Sequence, residues 1–146
     1  MRGFTLIELV VVILLMAILM LTAAPRFFAR NDFEGPAYAQ ELASAARYAQ
    51  KLAVATGCTV QFTVTATSYS LLQPAIADCT GGFTRPALHP ATGTDFSGTA
   101  PTGITVAGTL GALSFNSRGM PSAAGSFTVA GRTVLVTAGS GYVELQ

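Results

Sequence analysis

Charge is scarce in this 146-residue chain: charged residues make up 10% of it, against 51% hydrophobic. Residues 31–146 hold five basic groups against six acidic ones. A domain so nearly neutral exerts no electrostatic pull on nucleic acid or anionic lipid. It also has little charge to keep copies apart, which suits a subunit packed among neighbours better than a free monomer. Histidine occurs once, as His89 in "LHPATG", and cysteine twice, as Cys58 and Cys79. A four-ligand Cys/His zinc site is therefore out of reach, and no C-x-x-C occurs.

Catalytic motifs are missing as well. The chain contains no G-x-S-x-G, no G-x-G-x-x-G, no P-loop and no run of carboxylates at calcium-loop spacing. His89 reads as a loop residue, and Asp78 and Asp95 read as turn formers. Arg118 and Arg132 each stand beside a glycine in an expected hairpin, where an exposed guanidinium is the default. The expectation is a protein without enzymatic activity, metal, cofactor or small-molecule substrate.

What is abundant is one apolar run, "FTLIELVVVILLMAILMLTAA". It spans Phe4 to Ala24, and Glu8 is its only charged residue. As a helix it covers roughly 32 Å, close to the ~30 Å hydrocarbon core of a bilayer. A carboxylate at the centre of a membrane helix costs about 2.5–3.5 kcal/mol, and less near an end. Glu8 lies in the first turn or two, where the positive end of the helix dipole offsets part of that cost. Two readings stand: a tolerated charge near the interface, or a carboxylate that a positive group comes to meet. A removable secretory signal fits poorly, because the stretch exceeds the usual h-region, Glu8 interrupts it and Pro25 would follow the cut.

Past this run, "RNDFEGP" (30–36) reads as a break, with Pro36 opening a new helix. Residues 37–56 are Ala-rich, and Tyr38, Leu42, Ala45, Ala49 and Leu52 recur at spacings of four and three, the mark of one buried stripe. Gly57 is the expected C-terminal cap. The period then changes to two. Strands are expected at 58–65, 68–72, 104–107, 112–116, 126–130 and 133–137, with 141–145 as a last one. Between them lies a long irregular stretch, about 73–103. Cys58 and Cys79 are expected to form a disulfide, which would place the domain outside the cytoplasm, against the alternative of two separate buried thiols. The fold class expected is α+β: one long N-terminal helix whose second half packs on an antiparallel sheet of about residues 58–145.

The stretch "GFTLIELVVV", with Glu8 at the fifth place from Phe4 and Pro25 at the twenty-second, resembles the N-terminal signature of type IV pilins and type II secretion pseudopilins. Further along, "ARYAQKLAVATGCTVQF", "LSFNSRGMP" and "VAGRTVLVTAGSGYVEL" resemble minor pilins of the GspH/FimT type. A Cys directly after the helix is most like the minor subunits of mannose-sensitive haemagglutinin (MSHA) pili. The resemblance implies a leader of residues 1–3, cleavage between Gly3 and Phe4 by a prepilin peptidase, and methylation of the new amine on Phe4. It implies a membrane and assembly helix at 4–30 and a periplasmic or extracellular pilin domain at 31–146. Before assembly the subunit waits among inner-membrane lipids; its other partners are pilin or pseudopilin subunits.

The amine that cleavage creates at Phe4 would supply the positive group for Glu8, from the same chain or from an adjacent subunit, and so set the axial register. Pro25 would kink or loosen the helix where it leaves the bilayer. The functional expectation is a minor pilin that helps to start or cap an MSHA-like pilus, with a type II secretion pseudopilin as the alternative. A tip adhesin using the 73–103 stretch, a DNA-binding pilin and a membrane-anchored enzyme are weaker options. No Lys or Arg follows Arg132, which argues against DNA.

Overall fold

The structure, a computed structural model, describes residues 5–27 and 31–146, with side chains described at 5–20 and 33–146. It divides into two compact units, Met1–Phe33 and Glu34–Gln146. The first contains helix α1, Leu6–Phe27. The second contains helix α2, Asn31–Thr56, from Glu34 onward, and nine strands among the described residues.

Helix α2 starts earlier than the sequence pattern suggests. Residues 31–36 are helical rather than a break, and Pro36 lies inside the helix. A proline so close to the start removes a single backbone hydrogen bond, so the helix survives it. Gly35 contributes in another way: a Cβ there would overlap that of Ala130, so only glycine lets this turn of α2 approach the hairpin tip. The buried stripe is as expected at Tyr38, Leu42, Ala45 and Ala49, while Leu52 is half-buried. Ala39, Ala43, Ala46 and Ala53 widen it, all fully buried. These small side chains share one core with residues of both sheets. Gly57, at φ 69°, follows the last helical residue, the left-handed position that ends many helices.

The strands are antiparallel, as expected, and they divide between two sheets. In the first, β1 (Val60–Val64) is flanked by β2 (Ser68–Pro74) and β6 (Gly111–Phe115). Beyond β2 lie β3 (Phe83–Pro86) and β4 (Ser97–Thr99), both paired to it. The second sheet runs β5 (Val106–Gly108), β7 (Gly125–Val129), β8 (Arg132–Val136), β9 (Val143–Leu145). The stretch expected to be irregular thus holds the end of β2 and two short strands.

Register places apolar residues opposite one another. Val60 faces Phe115, Phe62 lies between Leu71 and Leu113, and Val64 faces Tyr69. In the second sheet Val106 faces Val129, Phe127 faces Val134 and Val136 faces Val143. Because side chains alternate along a strand, these pairs share the buried face of each sheet. They join the α2 stripe in one core. Phe62 and Phe127 meet edge-on at 6.0 Å, linking the two sheets beneath the helix.

Candidate assembly site

Helix α1 shows apolar side chains on every side. Leu6, Ile7, Leu9, Ile13, Leu19 and Met20 are all more than half exposed. A helix apolar around its whole circumference is stable only when lipid or protein covers it. Glu8 sits in the first turn and is exposed. Its own N–H and that of Leu9 donate to the Thr5 carbonyl at 3.1 and 3.2 Å. Gly3 and Phe4, the expected cleavage and methylation positions, lie outside the described residues. Pro25 falls within α1, with its side chain also outside them. Among the described residues no helix is long and apolar enough to cross a membrane. The part of α1 whose side chains are described, 6–20, would cover only about 22 Å at the usual helical rise.

The second unit holds the disulfide. Cys58 follows the α2 cap and is buried, whereas Cys79 is exposed in the tip between β2 and β3. The two are bonded, with Cα atoms 5.1 Å apart. The bridge ties the C-terminal end of the helix to a hairpin tip whose own support is local. Ala75 and Ile76 donate to the carbonyls of Gly82 and Thr80, and Cys79 donates to that of Ile76. Asp78 accepts from the Thr80 amide and hydroxyl. Those hydrogen bonds hold its carboxyl below the usual carboxylate range, and they make it the turn former expected.

The remaining candidates fall where ordinary chemistry puts them. His89 is in a loop, its Nδ1 accepting from the Ala91 amide at 3.2 Å. Its ring stacks on Phe96 at 4.9 Å, and Phe96 stacks on Tyr48 at 4.6 Å. Asp95 forms an isolated bridge with Leu88. Arg118 and Arg132 are exposed.

Four side chains of α2 have roles that the sequence pattern did not suggest. The Tyr69 hydroxyl donates to Glu41 Oε1 at 2.6 Å. Burial first, and this bond second, push the Tyr69 hydroxyl far above its ordinary value. Burial, with the nearby Glu41 charge, pushes Tyr38 up to about 12. Tyr48 donates to the Leu88 carbonyl. Arg47 donates through Nε and Nη2 to the Val143 carbonyl at 3.3 and 3.1 Å. Gln50 Nε2 donates to the carbonyls of Gly119 and Ser140 at 3.0 and 3.1 Å. The partners of Arg47 and Gln50 lie 69 to 96 residues away, so no local signal could reveal them.

An apolar helix with one early carboxylate, placed in sequence before a small-residue helix that carries two antiparallel sheets, defines the minor pilins and pseudopilins. The chain belongs to the family described as Type II transport protein GspH, whose pattern matches residues 38–143. Residues 1–24 match the prokaryotic N-terminal methylation motif. Members of this family are structural subunits, not enzymes, and they assemble with other pilin subunits. No curated protein matches the sequence.

Solved structures share the fold. The minor pseudopilin EpsH from the type 2 secretion system of Vibrio cholerae superposes with a TM-score of 0.59 at 18% identity, over 77% of this chain and 96% of that one. The type IV minor pilin FimU of Pseudomonas aeruginosa gives 0.56 at 15% identity, over 76% and 91%. A second crystal form of FimU gives 0.55, over 82% and 92%.

Proposed function

We propose that this chain is a minor pilin that helps to start or cap a type IV pilus of the MSHA kind, in the manner of the minor subunit MshC. In this reading residues 1–3 are a leader that a prepilin peptidase removes, and the amine of Phe4 is then methylated. Residues 4–30 hold the subunit in the inner membrane, and residues 31–146 stand in the periplasm until the subunit enters the filament. The observation that carries the reading is the methylation motif joined to a GspH-family domain. The exposed apolar surface of α1, with Glu8 in its first turn, supports it, because lipid and then neighbouring subunits would cover that surface. The disulfide suits a domain outside the cytoplasm, and a cysteine directly after the helix favours the MSHA branch.

A second reading is a minor pseudopilin of a type II secretion system, which the family description and the likeness to EpsH favour. Deleting the gene separates the two. The pilus reading expects surface filaments to fall to a small fraction of wild type while exoprotein export continues, with recovery when the gene is restored. Lost export with filaments intact would establish the second reading and overturn the first.

A further inference from the structure

One flank of α2 lies outside the core of the second unit and is exposed there. Gln50 holds two turns against the helix, one through the Gly119 carbonyl and one through that of Ser140. Arg47 grips the next strand at Val143. Gly141 has φ 68°, and a Cβ there would overlap the Gly119 carbonyl and crowd Gln50 Nε2. The two turns are therefore packed against each other as well as against the helix. Their outward side chains sit on a rigid support and give up little freedom when a partner binds.

The side chains presented have the composition of a contact surface. Tyr142 is 63% exposed and Val54 54%. Arg47, Lys51 and Arg118, three of the five basic residues of the second unit, are exposed around them. Exposed Tyr and Arg on a preorganised surface are the residue types that dominate binding energy at protein interfaces. The charged side chains presented here are all basic, with Asp78 the one acid that the disulfide ties to the C-terminal end of the helix. Residues 42–77 contain no carboxylate, and neither do residues 96–143; the helix flank and both turns come from these segments. The nearest acid in sequence, Glu144, alternates with inward-facing Val143 along β9 and pairs with Leu135, which puts it on the outer face of the sheet.

We propose that this flank docks an acidic surface of another subunit in the same filament. The carboxylates of that subunit would meet Lys51 and Arg118, and an apolar recess would take Tyr142. The proposal rests on the filament reading above and adds the place and chemistry of one contact. Protein fits better than nucleic acid. Only three cations are present, too few phosphate contacts for tight binding, and an apolar Val54 in their midst offers nothing to a phosphate backbone.

The test uses the full chain in cells that make the filament, with Tyr142 replaced by the photocrosslinking residue p-benzoylphenylalanine. Irradiation is expected to join it to one other subunit, within a peptide that carries clustered Asp or Glu. Lys51→Glu combined with Arg118→Glu should cut that product at least tenfold, while Lys51→Arg with Arg118→Lys should retain it. An undiminished product after charge reversal, a product with nucleic acid, or no product with another subunit would overturn the assignment. Sheared filaments are immunoblotted for the chain in parallel. If they contain it, a failed crosslink sinks only the docking surface; if they lack it, the filament reading fails as well.

Discussion

Glu8→Ala is expected to leave the protein processed and membrane-held yet absent from filaments. Glu8 is the only charged residue between Phe4 and Ala24, and it stands in the first turn of a helix whose apolar side chains are exposed. In a single subunit the carboxylate can reach the membrane interface, so its removal makes insertion no harder and slightly easier. In the filament proposed above the same helix would be enclosed by its neighbours, and the carboxylate would need a positive partner. A buried pair broken on one side leaves an uncompensated charge, worth about 3–5 kcal/mol. Each ~1.4 kcal/mol is tenfold in an equilibrium, so incorporation should fall by roughly a hundredfold or more. Glu8→Gln, which keeps the shape and loses the charge, should behave like Glu8→Ala. The check is an immunoblot of sheared filaments beside the membrane fraction. Wild-type incorporation of either variant would remove charge pairing from the account. The globular unit should melt unchanged in both, since Glu8 belongs to the other compact unit.

The second large effect concerns the disulfide. Cys58 and Cys79 are separated by 21 residues, and closing a loop of that size stabilises a fold by about 3 kcal/mol through lost freedom in the unfolded chain. For a domain of this size that corresponds to roughly 10–20 °C in melting temperature. A fragment of residues 31–146 should lose that much on reduction, or when both cysteines are changed to alanine. The loosening should be uneven. The 75–82 tip rests on a few local hydrogen bonds and the bridge, whereas α2 keeps its apolar face in the core. Hydrogen exchange should therefore rise first in the tip. An unchanged melting curve would show that the bridge contributes no stability.

How much of this was legible in the sequence depended on the distance over which each feature acts. The α2 stripe could be read because Tyr38, Leu42, Ala45 and Ala49 repeat within a few turns. The β7–β8 hairpin could be read from Gly131 between two alternating runs. Its turn falls one residue earlier than expected, at Ala130 and Gly131, both at positive φ, with Arg132 already in β8. The start of α2 was misread because Asn, Asp, Gly and Pro weaken a helix by local propensity. Here packing of Gly35 against Ala130 prevails. Strands β3 and β4 were missed for a different reason. They have four and three residues, include Pro86 and Gly98, and owe their existence to pairing with β2. The division into two sheets, and the grip of Arg47 and Gln50 on distant turns, are tertiary facts with no local trace. The N-terminal methylation motif was the easiest to see, since one carboxylate in a long apolar run is conspicuous in any register.

The central claim is that Glu8 has its partner only after a peptidase has exposed an amine at Phe4. The mass of the mature N-terminal peptide tests this most directly. The account predicts a chain that begins at N-methylated Phe4, with residues 1–3 gone. A filament-borne chain that still carries Met1, or a chain that begins at Pro25, would contradict it.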